Sequence, residues 1–196
     1  KKIKSGMGIH VATFQASLLW EPWQILKADQ TPYKVFTPFY RKGCLLRNEP
    51  RAPLDRPKKI NLTSITSQSI NDLDLLPNVR WDKNMVAHWQ IGEKGARQRL
   101  GDFLEDGFAG YKEGRNYPQR NNVSRLSPYL HFGEISPYET WHTAKRYALA
   151  HRKEQDFDTF HSELAWREFS HHLLYHFPHL PEKPFQEKFA DFPWQE

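Results

Sequence analysis

The sequence contains one cysteine, Cys44, so no intrachain disulfide can form and a reducing, cytoplasmic setting fits best. No apolar run reaches the ~18 residues that a membrane-spanning helix needs, so no membrane partner is expected. The basic start, residues 1–8, is not followed by an apolar core and does not read as a signal peptide. Internal repeats and strong low-complexity tracts are missing. The segment Gly92-Glu93-Lys94-Gly95 lacks the Lys-Ser/Thr ending of a phosphate-binding P-loop. His172 and His176 have i,i+4 spacing, but no carboxylate or cysteine completes a zinc-protease motif, so no metal is expected.

Aromatic residues are plentiful. They make up 14% of the chain, with 7 Trp, and the formal net charge is +5. An aromatic surplus serves either a core of large side chains or platforms for stacking on bases and planar cofactors. The positive balance favours approach to phosphate backbones, although many basic proteins bind no nucleic acid.

Three zones follow along the chain. In residues 1–46, Ile9 to Phe14 and Tyr33 to Phe36 read as short strands, and Thr37-Pro38 as a helix start with Thr as N-cap. Two strands and one helix cannot cover both faces of a parallel sheet, so this zone is expected to be the tail of a larger α/β domain. Residues 47–86, rich in Pro, Ser and Thr, read as an irregular connector. Residues 87–196 are expected to be helical. One amphipathic segment covers Gly92 to Asp106, a cap lies at Ser136-Pro137 with Glu139, and the longest helix spans Phe157 to His176 before Pro178.

That last helix is apolar around most of its circumference, through Phe160, Leu164, Ala165, Trp166, Phe169, Leu173 and Leu174. Glu163, Arg167 and Ser170 interrupt it as a polar stripe. Two readings remain open at this point. Glu163 and Arg167 form an ordinary i,i+4 ion pair worth about 0.2–0.5 kcal/mol, or the stripe and Trp166 wall a pocket for a planar, hydrogen-bonding ligand.

The residues then become recognisable. Glu163-Leu164-Ala165-Trp166-Arg167-Glu168-Phe169 resembles the E-L-x-W-R-E-F segment of the DNA photolyase/cryptochrome family. Ser124-Arg125-Leu126-Ser127-Pro128-Tyr129-Leu130 is similar to the family's S-R-L-S-P-Y-L run, and Val35-Phe36-Thr37-Pro38-Phe39 to its V-F-T-P-F stretch. Their order and spacing look most like a class I cyclobutane pyrimidine dimer photolyase.

The resemblance implies a mainly α fold: the N-terminal half of a helical FAD-binding domain, preceded by the remnant of a Rossmann-like α/β antenna domain. It implies that FAD is held by Tyr111, Val123, Ser124, Arg125, Leu126 and Ser127, with Phe160 in the flavin wall. Val123 stands where many members have Thr, so a side-chain donor is lost there. Hydroxyls and backbone N–H groups at a loop entering a helix suit a diphosphate. Taken singly, Ser124 and Ser127 are equally ordinary helix caps.

The implied partner is UV-damaged DNA with its pyrimidine dimer flipped out of the stack. Trp166 would stack on the dimer and Glu163 would hydrogen-bond it as the catalytic pair. Arg115, Arg167, Phe169 and Ser170 would complete the DNA-facing surface. A folate or deazaflavin antenna is implied for the complete protein, which is expected to be monomeric. Three functions stay in view: light-driven dimer repair, a cryptochrome-like photoreceptor on the same pocket, and a helical DNA-binding module without a cofactor. Cyclobutane dimers are expected over (6-4) products, which usually call for a histidine pair.

The resemblance also implies that family segments facing the flavin ring follow after Glu196. The 196 residues alone are therefore expected to retain little or no FAD, which the absorbance of the purified chain checks. A stoichiometric yellow protein would overturn that expectation.

Overall fold

The computed structural model describes residue 12, residues 14–76 and residues 79–193. Seven helices carry the architecture: α1 (Phe36–Pro38, continued by a π-helical turn, Phe39–Cys44), α2 (Lys83–Val86), α3 (Glu93–Asp102, continued by a π turn, Phe103–Gly107), α4 (Tyr111–Gly114), α5 (Ser127–His131), α6 (Pro137–His151) and α7 (Glu154–His176).

The expected α/β tail is corrected here. Among the described residues there is no strand, and the only pairing is an isolated antiparallel bridge between Leu26 and Pro32. Tyr33 to Phe36 does not alternate between a buried and an open face. Tyr33 packs inward, while Phe36 opens α1 and stacks against α7. Four residues flanked by Pro32 and Pro38 dock individually, with no neighbouring strand to satisfy their backbone. The cap also shifts: Val35 is the N-cap and Pro38 the third helical residue, still inside the first turn where a missing N–H costs nothing. Of the other expected strand, residues 9–11 and 13 lie outside the described residues.

The helical readings fare differently. The amphipathic segment forms as α3 and its π extension, burying Ala96, Leu100, Phe103 and Leu104. Ser136 Oγ accepts from Glu139 N at 3.1 Å, with Pro137 in first position. Glu139 does not return a bond to its cap; it pairs with Arg97 of α3 at 2.8 Å, tying two helices together. The longest helix is α7, ending at His176.

Two clusters fill the interior. The larger joins α3, α4, α5, α6 and α7 around Phe103, Phe108 and Phe160. The smaller gathers Ile25, Tyr33, Phe39, Cys44 and Phe169 on the other side of α7. Both faces of α7 are thus covered, as its all-round apolarity requires. His161 is enclosed between Trp20, Trp141 and Phe157, and burial drives its pKa down to about 3, so the ring is neutral. Burial likewise pushes the Cys44 thiol up, leaving an inert core group.

The connector is held at its start and open beyond. Glu49 accepts from Lys145 Nζ at 2.7 Å and Trp141 Nε1 at 3.2 Å, and Arg51 lies over the Tyr138 ring. Residues 51–76 are exposed, with one 3-10 turn at Ile70–Leu73. No helix among the described residues is long and apolar enough to cross a membrane.

A close approach fixes the start of α3. A Cβ on Gly95 would stand 1.7 Å from the Gln90 carbonyl oxygen, so the lead 88–91 can lie on the helix only because residue 95 is glycine. Gly95→Ala is expected to lower unfolding free energy by about 1–3 kcal/mol through overpacking, read from urea denaturation; an unchanged midpoint would contradict this packing.

Candidate functional site

Helix α7 places Phe160, Glu163, Leu164, Arg167 and His171 on one face by their three- and four-residue spacing. Its first turn also builds the facing wall. Asp156 accepts from Gly110 N and Lys112 N, both at 2.9 Å, and so caps α4 and fixes Tyr111 and Arg115 beside Glu163. Asn122 donates to the Gly107 and Ala109 carbonyls at 2.7 and 3.2 Å, which anchors the loop leading to α5.

Between α7, α4 and α5 lies a cleft of about 560 Å³. Tyr111, Ser124, Leu126, Ser127 and Phe160 line it, together with Glu163 and Arg167. These seven, all singled out from the sequence, meet in one place although they come from three separate stretches of chain. The cleft offers an apolar wall at Phe160 and Leu164, hydroxyls at Ser124 and Ser127, and a guanidinium at Arg167.

Other expected residues lie elsewhere. Val123 is 40% exposed and does not line the cleft. Arg125 faces a different cleft, with Trp89 and Tyr129. Phe169 is buried in the smaller core cluster, and Ser170 is exposed and donates to the Trp166 carbonyl at 3.0 Å. Trp166 does not share the cleft with Glu163. It stacks on Phe36 at 3.7 Å between centroids, and 45% exposure leaves part of the indole open.

The charges pair in a way the helix wheel did not show. Glu163 bonds Arg115, not Arg167, and the bonded carboxylate holds the Arg115 pKa up. Arg167 Nη1 donates to Glu168 Oε1 at 3.0 Å. The other oxygen of Glu168 accepts from Leu19 N at 2.7 Å and Trp20 N at 3.3 Å. Burial raises the Glu168 pKa to about 7, against the lowering effect of Arg167 and the two amides.

Sequence reasoning missed Ser17, Leu130, His131, Leu164 and His171 as cleft residues. His171 was legible, being four residues after Arg167 on the same face; burial, then Arg167 and His131, keep its pKa low. Ser17 arrives through the Glu168 tie and has no local signature. Among the described residues no three His, Cys, Asp or Glu gather as metal ligands.

Comparisons with known proteins bear on this cleft. Residues 1–58 match the family model described as DNA photolyase, and residues 160–196 that described as the FAD binding domain of DNA photolyase. A deoxyribodipyrimidine photo-lyase of Agrobacterium fabrum is 39% identical over 194 residues, covering 96% of this chain and 40% of its own length. Over nearly its whole length the chain is similar to photolyases and, more distantly, to cryptochromes. Cryptochrome-1 of Arabidopsis thaliana is 27% identical over 202 residues, covering 99% of this chain and 30% of its own length.

The crystal structure of a bacterial class III photolyase from Agrobacterium tumefaciens superposes with a TM-score of 0.88 at 38% identity, covering all of this chain and 40% of that one. That finding corrects the class I expectation. Two of the three motifs behind the resemblance sit on the cleft-facing helix and loop, and the third lies at α1. The chain spans about 40% of the length of the two Agrobacterium photolyases.

Glu168 makes a pH signature. A carboxyl whose folded pKa lies above its unfolded value binds protons more tightly when folded, so stability is full below about pH 4.5 and declines as pH rises through about 7. The loss is expected to be on the order of 2–3 kcal/mol. Melting of the wild type between pH 4.5 and 8 checks it, and Glu168→Gln is expected to flatten the decline; a wild-type curve already flat in that window would refute the assignment.

Proposed function

We propose that this chain supplies the diphosphate-binding and lesion-facing side of a deoxyribodipyrimidine photolyase. The observation that carries the reading is the convergence of Tyr111, Ser124, Ser127, Phe160, Glu163 and Arg167 on one cleft. The donor set fits FAD. Serine hydroxyls and the loop amides before α5 suit a diphosphate, Arg167 adds positive charge, and Phe160 with Leu164 offers a face for a ring. When bound and reduced, the flavin supplies the light-driven electron on which dimer splitting depends.

The remaining roles belong to the protein. Glu163 presents a carboxylate at the cleft, steadied by Arg115, and hydrogen-bonds the polar edge of a flipped pyrimidine pair. Trp166, backed by Phe36, offers its open part for stacking on that pair from the adjacent side of α7. Arg115 also lies 5.6 Å from the Tyr111 ring centroid, linking the rim to the cofactor wall. The substrate is DNA carrying cyclobutane dimers, residues 47–86 are the connector, and residues 87–196 belong to the helical flavin domain.

A chimera tests this. Residues 12–193 replace the matching stretch of the Agrobacterium fabrum enzyme, and blue-light repair of a thymine-dimer oligonucleotide is measured alongside flavin content. Repair is expected, and Glu163→Gln is expected to slow it by about tenfold to a hundredfold with flavin retained. A chimera that binds flavin but leaves the dimer intact would favour a photoreceptor and overturn the repair reading.

A further inference from the structure

Helix α5 has two sides, and the flavin cleft uses one. Ser127, Leu130 and His131 face that cleft, while Pro128, Tyr129 and Phe132 face away from it. On the far side, α3, the lead at 88–90 and the α5 loop enclose a second cleft of about 280 Å³. It contains two guanidiniums, Arg99 and Arg125. Arg125 is exposed and Arg99 half-buried; among the described residues neither has a carboxylate, carbonyl or hydroxyl partner, and the Arg99 Nε is shut off from solvent without an acceptor. A buried donor left unbonded is costly, and an anion bound beside it would supply the acceptor.

The backbone adds an independent observation. Arg125 adopts φ 54°, a left-handed conformation that non-glycine residues seldom take. In the same loop Ser124 and Leu126 line the flavin cleft, whereas Arg125 lines the second one. The lining carboxylate of this second cleft, Asp102, already accepts from Gln98 at 2.7 Å. Its aromatic wall is Trp89 and Tyr129, edge to face at 5.9 Å between centroids. The same two rings border an adjoining apolar cleft of about 500 Å³.

We propose that this second cleft binds a nucleoside phosphate, with Arg99 and Arg125 on the phosphate and Trp89, backed by the buried Tyr129, against the base. Planar guanidinium forks match phosphate oxygens pairwise, and aromatic side chains accept any base by stacking. The cleft lies on the side of α5 away from the first one. The inference stands whether or not the first cleft holds flavin.

Calorimetric titration of the 196-residue chain with AMP tests it, with adenosine, inorganic phosphate and a single-stranded ten-mer as separate arms. Saturable AMP binding is expected, with adenosine and phosphate at least about tenfold weaker. Arg99→Gln and Arg125→Gln are each expected to weaken AMP by about tenfold or more. Arg125→Gly, which removes the side chain and suits the left-handed backbone, is expected to lose binding equally while melting no lower than wild type. No saturable AMP binding at millimolar concentration would overturn the proposal. So would AMP affinity that survives both arginine substitutions, the result expected if AMP occupied the flavin cleft, or an oligonucleotide that binds more tightly than AMP.

Discussion

The buried carboxylate of Glu168 is the contact on which the site's geometry depends. Helix α7 is covered on both faces, so a charged group in its middle must find partners inside the protein. Glu168 finds three: the Leu19 and Trp20 amides and the Arg167 guanidinium. The first two bring the segment around Ser17 onto the helix from about 150 positions away in sequence. The third turns Arg167 toward its neighbour and leaves Glu163 to Arg115. One acid thereby sets which charges face the cleft and which segment closes its edge.

Much of this was legible in the sequence, and the reasons are physical. Long periodic segments such as α3 and α7 announce themselves because burial demands apolar residues at helical spacing. The cleft residues were legible because the segments that carry them resemble photolyase motifs, and Tyr111, Ser124, Leu126, Ser127, Phe160, Glu163 and Arg167 then meet in one cleft. The expected strand at Tyr33 to Phe36 was misread because a short, mostly apolar run near prolines looks alike whether it pairs with a strand or docks singly on a helix. The pairing of Glu163 was hidden too. An i,i+4 arginine is visible in sequence, whereas Arg115 reaches Glu163 only because Asp156 caps α4 and swings that helix into place.

The two clefts show how a short loop can serve two surfaces. Residues 124–127 are pinned by Asn122 on one side and by burial of Leu126 on the other. The left-handed turn at Arg125 sends its side chain to the second cleft while Ser124, Leu126 and Ser127 line the first. A motif that reads as one binding element in sequence thus divides its side chains between a hydroxyl-lined cleft and a guanidinium-lined one. Trp166 follows a similar logic on α7: adjacent to Glu163 in register, it is claimed by Phe36 and lies beyond the cleft's edge.

Amide hydrogen exchange at Leu19 tests the central tie most directly. This amide, bonded to a buried carboxylate and outside any helix, is expected to exchange as slowly as the amides of α7 and to lose that protection in Glu168→Ala. A Leu19 amide that exchanges in the wild type at the rate of an unstructured chain would contradict it.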